Sequence, residues 1–150
     1  MTRRAGRCSC SINSGFRQFR LPAYLQEHRQ PLIEACTGLL DGHDPETCLR
    51  LEAEQELGYR LLDVKKVYDI FMSPGSVRER LSFFVAEYSP ADRVSGGGGD
   101  PSEGEDIAVL AMPLAKAMEL VESGRIIDAK TVLLIQFAAL KGLVMPAQRI

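Results

Sequence analysis

Between Gly38 and Tyr59 the chain reads GLLDGHDPETCLRLEAEQELGY, which gathers Glu52, Glu54 and Glu56 into a short stretch behind a glycine-containing loop. Asp44 can cap a helix, Pro45 suits its first position and Gly58 suits its stop, which predicts a helix of about twelve residues. Glu52 and Glu56 stand four apart and so share one face of that helix, roughly 5–6 Å apart at Cβ, with Gln55 and Glu54 alongside. Like charges at this spacing repel. Such a pair is either a solvated acidic face, the commoner case, or a seat for a divalent cation, whose hard charge is matched by carboxylate oxygens. Spacing alone leaves both readings open.

The stretch L-E-A-E-Q-E-L-G-Y resembles the second half of the Nudix box, R-E-U-x-E-E-x-G-U with U apolar, at Glu52, Ala53, Glu56, Gly58 and Tyr59. Leu51 stands where that pattern has Arg, and Gln55 where it has the first of two paired glutamates. A second signature, Ser73-Pro74-Gly75 with Glu79 following, resembles the ADP-ribose and GDP-mannose pyrophosphatase branch of the superfamily. Arg17-Gln18-Phe19-Arg20 upstream and Glu105-Asp106-Ile107 downstream fall in the order of that branch.

The resemblance implies a Nudix α/β/α sandwich with a mixed β-sheet and a Mg²⁺-dependent hydrolysis of a nucleoside-diphosphate sugar, GDP-mannose first and ADP-ribose second, with Mn²⁺ as an alternative ion. It implies that Glu52 and Glu56 hold the metal, aided by the Thr37 carbonyl and by Gln55, which offers an amide oxygen without charge. Arg17, Arg20, Ser73, Gly75 and Glu79 would bind substrate, Arg20 forking onto the diphosphate. Glu105, with Glu103 as its rival, would act as general base or last metal ligand. Taken without the resemblance, Arg20 is a surface charge, Glu79 a solvated acid and Ser73-Pro74-Gly75 a turn. Gln55 and Leu51 also leave room for a domain that binds a nucleotide or a partner without turnover.

With 150 residues, 45% apolar and 7% aromatic, the chain suits one globular domain. A net charge of −2 supplies no field to draw nucleic acid or an anionic membrane, so phosphate binding has to come from a local cluster. No apolar run approaches the ~18 residues that span a bilayer. The Arg-rich start lacks the apolar centre of a secretory signal, which points to a cytoplasmic protein. Cys8-Ser9-Cys10 has no second ligand pair at metal spacing, so free thiols are expected there; Cys36 and Cys48 should pack as small apolar residues.

Residues 1–15 carry no periodicity and are expected to be loose, with the domain running from 16 to 145. The resembling family places further strands ahead of its R-Q-F-R, strands that help to build a homodimer and the base pocket, so the chain is expected to begin inside the fold. An unpaired sheet edge should follow. A strand from Phe16 to Tyr24, limited by Pro22, and another from Leu32 to Cys36 lead into the box; Leu61–Met72, Leu81–Tyr88 and Ile107–Met112 read as further strands. Ser95–Gly104 reads as a flexible loop. Two helices close the chain, one between Pro113 and Gly124 and one capped by Asp128.

Overall fold

The computed structural model describes residues 6–10, 14–103 and 105–143. Strands β1 (Gly6–Cys10), β4 (Cys36–Leu39), β5 (Asp63–Phe71) and β6 (Arg80–Glu87) form one sheet in the order β4-β1-β6-β5. It is mixed, because β1 runs parallel to β6 while the other pairs are antiparallel. Strands β2 (Ser14–Gln18), β3 (Leu32–Glu34) and β7 (Ala108–Ala111) form a second, antiparallel sheet with β2 in the middle. Helices α1 (Leu21–Leu25), α2 (Pro45–Glu52), α3 (Leu114–Glu122) and α4 (Ala129–Leu140) complete the chain.

Alternation along β6 decides the layering. Successive side chains of a strand point to opposite faces, and here Phe84 joins Leu49, Ala53 and Leu57 of the α2 segment, whereas Leu81, Phe83 and Val85 join Leu134 of α4. A strand apolar on both faces needs a cover on each. The result is the expected sandwich of helices around a mixed sheet.

Three expectations are corrected. Gly6–Cys10 is not loose: it forms β1, bonded to β4 on one side and β6 on the other, so ladder partners on both edges override an uninformative local pattern. The domain therefore starts before residue 16, and of the segment expected to be loose, residues 1–5 and 11–13 lie outside the described residues, as do 144 and 145 at the other end. The strand expected over Phe16–Tyr24 stops at Gln18, because Pro22 opens α1 instead, and β2 is flanked by β3 and β7 rather than left as an edge. The strand expected over Leu32–Cys36 breaks at Ala35. There the amide donates to Thr131 Oγ1 at 2.7 Å, and the chain passes from one sheet to the other.

Candidate active site

The box helix starts where its cap chemistry puts it. One carboxylate oxygen of Asp44 accepts from the amides of Glu46 and Thr47, both at 3.1 Å, with Pro45 at the first turn. The bonds from Thr47 hold the Asp44 carboxyl below its ordinary range. Cys48 and Leu49 face the core and fix the rotation of the helix, while Arg50, paired with Glu46 one turn earlier at 2.7 Å, ties the helix to the carbonyl of Leu61.

Past Glu52 the helix widens into a single π turn, Ala53–Leu57, closed by Gly58 in the left-handed region at φ 79°. The widened turn offers its carbonyls to the chain that follows β6. Gly98 donates to the Glu56 carbonyl at 3.0 Å, Gly99 to that of Gln55 at 3.2 Å and Val94 to that of Gly58 at 2.8 Å. A Cβ at Gly97, whose φ is 68°, would stand 2.5 Å from the Glu56 carbonyl oxygen, so only glycine allows this approach. The stretch expected to be a flexible loop is thus, from Ser95 to Gly99, a strap bonded to the end of the box helix.

Glu56 is only 2% exposed, so of the two readings of the pair the solvated acidic face does not apply to it. The π turn aims it inward, where Oε2 accepts from the Thr37 amide at 3.3 Å and the carboxylate takes a hydrogen bond from the Cys36 side chain. Burial pushes its carboxyl up to about 8, and the charges of Glu52 and Glu105 push the same way, against the pull of those two hydrogen bonds. Glu52 lies against β4, its carboxylate filling the space that a Cβ on Gly38 would need. Glu105 is fixed in like manner, with Oε2 accepting from the Asp100 amide at 2.8 Å and its carboxylate where a Cβ on Gly99 would stand. The three acids named from the sequence are therefore electrostatically coupled around the β4 end of the box.

Their chemistry suits a divalent ion, because carboxylate oxygens are hard ligands and a cluster of like charge with one buried member is relieved by a cation. Among the described residues no three His, Cys, Asp or Glu side chains stand close enough together to hold a metal as they are. Gln55 is exposed on the π turn, and the Thr37 amide points at Glu56. Glu103 ends a 3₁₀ turn, and its side chain lies outside the described residues.

The substrate-binding candidates divide. Arg20 makes a forked ion pair with Glu34, Nε to Oε1 at 2.7 Å and Nη2 to Oε2 at 3.3 Å. Burial opposes the Arg20 charge, but its bond to Glu34 and the charges of Glu34, Glu56 and Asp128 outweigh this and raise its affinity for the proton. Arg20 is therefore within electrostatic reach of the acid cluster. Arg17 is exposed on β2 and points away from the buried neighbours Phe16 and Gln18. Ser73 and Gly75 lie on an exposed turn joining β5 to β6, in which the Ser73 carbonyl accepts from the amides of Ser76 and Val77. Glu79 is half-buried just before β6. Pairing of Gly6 with Arg80 and of Arg7 with Leu39 puts this turn at the same end of the sheet as the loop entering α2.

Sequence reasoning missed Glu34 and the polar part played by Cys36. Glu34 is an acid inside an apolar strand, and it is 4% exposed; that mismatch between residue and setting was the available signal. Cys36 and Cys48 are free thiols in the core, as expected, whereas the side chains of Cys8 and Cys10 lie outside the described residues.

Comparison with known proteins bears on these assignments. No family model matches the chain. It is 48% identical over 127 residues to a GDP-mannose pyrophosphatase of Pectobacterium atrosepticum, a match covering 84% of this chain and 65% of the relative. A GDP-mannose pyrophosphatase of Escherichia coli O1:K1 is 46% identical over 122 residues, covering 81% and 63%, and one of Shigella dysenteriae serotype 1 is 44% identical over 129 residues, covering 85% and 66%. The chain is thus similar to GDP-mannose pyrophosphatases over more than four fifths of its own length. It spans just under two thirds of the length of those relatives. Its fold is also that of a solved ADP compounds hydrolase, with a TM-score of 0.70 at 20% identity over 93% of this chain and 73% of the other.

Proposed function

We propose that the chain is a metal-dependent nucleoside-diphosphate-sugar pyrophosphatase that hydrolyses GDP-mannose to GMP and mannose 1-phosphate. The observation that carries this reading is the coupling of Glu52, Glu56 and Glu105 in a domain 44–48% identical to GDP-mannose pyrophosphatases. Glu52 and Glu56 would hold the ion, Mg²⁺ or in its place Mn²⁺, with the Thr37 carbonyl and the Gln55 amide oxygen as further donors. When bound, the ion offsets the charge that develops on the nonbridging oxygens of the diphosphate.

The protein's own groups supply the rest. Arg20 neutralises the diphosphate, the Ser73–Gly75 turn frames the substrate, and Glu79 orients the sugar or the attacking water; Arg17 faces the other side of β2. Glu105, held by the Asp100 amide, accepts the proton of that water, with Glu103 as the alternative base. The reading places the protein in the cytoplasm as a homodimer, without nucleic acid or membrane as partner. No helix among the described residues is long and apolar enough to cross a membrane, and Phe19, Leu21 and Leu25 expose apolar surface around α1 that a second subunit could cover.

The solved ADP compounds hydrolase favours ADP-ribose as the second substrate to try, and the uncharged Gln55 favours a domain that binds without turnover. The test is release of GMP from GDP-mannose and of AMP from ADP-ribose, each with Mg²⁺ and with EDTA. Metal-dependent GMP release exceeding AMP release is the expected result. The reverse preference moves the assignment to ADP-ribose, and no release from either transfers it to a binding domain.

A further inference from the structure

We infer that Glu34 is the positioning residue that presents the Arg20 guanidinium to the diphosphate, an assignment that rests on the pyrophosphatase reading above. Strand register fixes the carboxylate first. Glu34 stands directly opposite Phe16 in the β2–β3 pair, and paired side chains share a face, so Glu34 projects to the side where Phe16 packs against the α2 segment. That is also the side of Glu56.

The geometry of the pair leaves donors that no other described residue takes up. A guanidinium carries five N–H groups, and Glu34 engages it from the side, through Nε and Nη2 alone. Both N–H groups of Nη1 and the second of Nη2 remain on the outer edge, where a phosphate can take a second fork. Exposure agrees with that direction: the Glu34 side chain is 5% exposed and that of Arg20 39%, so the carboxylate forms the base and the guanidinium the rim. Arg20 belongs to no strand, since β2 ends at Gln18 and α1 begins at Leu21. Without Glu34 its long side chain would be free to fall onto the carboxylates of the metal cluster. With Glu34 it is held beside them.

A merely structural ion pair and a positioning one differ in what their loss does. Glu34 touches no reacting atom in this scheme, so its removal should weaken substrate binding and leave the chemical step alone. The experiment compares wild type, Glu34→Gln, Arg20→Ala and the double variant. It measures the Kd for GDP-mannose by calorimetry in EDTA, KM and kcat with Mg²⁺, and the melting temperature. Glu34→Gln should raise Kd and KM by about tenfold with kcat within about twofold, and should add no further loss in the Arg20→Ala background.

An equal loss in both backgrounds, tighter binding on removing Glu34, or a fall in kcat at unchanged Kd would each overturn the assignment. If Glu34→Gln fails to fold, Glu34→Asp, which keeps the charge and shortens the reach, is judged by the same criteria. Wild type that binds GDP-mannose but never cleaves it defeats the pyrophosphatase reading while Kd still reports on Glu34. Wild type that binds neither GDP-mannose nor ADP-ribose overturns the Glu34 assignment as well.

Discussion

The acid cluster and the Ser73–Gly75 turn are held in opposite ways. Glu56 is enclosed, bonded to the Thr37 amide, and its own main chain is gripped by Gly98 of the strap. The turn is exposed, closes only on the Ser73 carbonyl, and at Gly75 an added Cβ would meet nothing within 4 Å. In the first region a side chain is set by many neighbours at once. In the second, the backbone fixes only its own path. Chemistry that needs charge gathered in a dry place belongs to the first, and recognition that adapts to a ligand belongs to the second.

The largest break in that contrast comes from the acids. Glu52→Gln and Glu56→Gln should each lower the turnover of GDP-mannose by about a hundredfold or more, as expected for loss of a charged ligand at a catalytic ion. Steady-state rates across a Mg²⁺ titration check this, and near-normal rates in both would remove the acids from the site. Next comes the strap. Gly97→Ala forces a Cβ to 2.5 Å from the Glu56 carbonyl at a positive φ, whereas Gly96→Ala adds one in open space. The first should lower both the melting temperature and turnover, the latter by about tenfold, and the second should change neither.

A pH series sharpens the comparison on the side of stability. The Glu56 carboxyl is raised from its ordinary value to about 8, so the metal-free folded state holds a proton there that the unfolded state has lost. That contribution is complete below the unfolded value and is lost as pH rises towards 8. The melting temperature in EDTA should therefore fall between pH 5 and pH 8, less steeply in Glu56→Gln, and added Mg²⁺ should help most at the alkaline end. A dependence identical in both proteins would assign the titration to another group.

Smaller effects follow at the exposed positions. Gln55→Glu restores a carboxylate beside the cluster and should tighten Mg²⁺ by a few-fold at low salt, fading as salt rises; unchanged binding would mean that this side chain faces away from the ion. Ser73→Ala and Gly75→Ala should leave the melting temperature where it is and shift KM by no more than about threefold. A larger loss of stability there would show the turn to be as firmly built as the cluster.

Much of this was legible from the chain, and the reasons differ residue by residue. Asp44, Pro45 and Gly58 act on their nearest neighbours, so the helix ends could be read locally. Asp128 is similar, capping α4 through the Thr131 amide at 2.9 Å. The inward aim of Glu56 could not be read, because it depends on a π turn whose spare carbonyls are taken by glycines some forty positions later. The strand at Gly6–Cys10 escaped for the same reason, its partners lying at Cys36–Leu39 and Arg80–Phe84. Glu34 is the sharpest case, since an acid in an apolar strand shows its purpose only when Arg20 is found beside it.

The π turn at Ala53–Leu57 also constrains how this region can change length. It fits one more residue into its coil than an α-helical turn would, and that surplus is what opens the carbonyls met by the strap. Substituting residues on its exposed side leaves the path of the main chain as it is. Removing a single residue would restore an α-helical turn and close the carbonyls that Gly98 and Gly99 meet. Across homologous sequences, a gap placed within these five positions is therefore a sign that the strap's anchorage to the helix has changed, which exchanges on the exposed side of the turn are not.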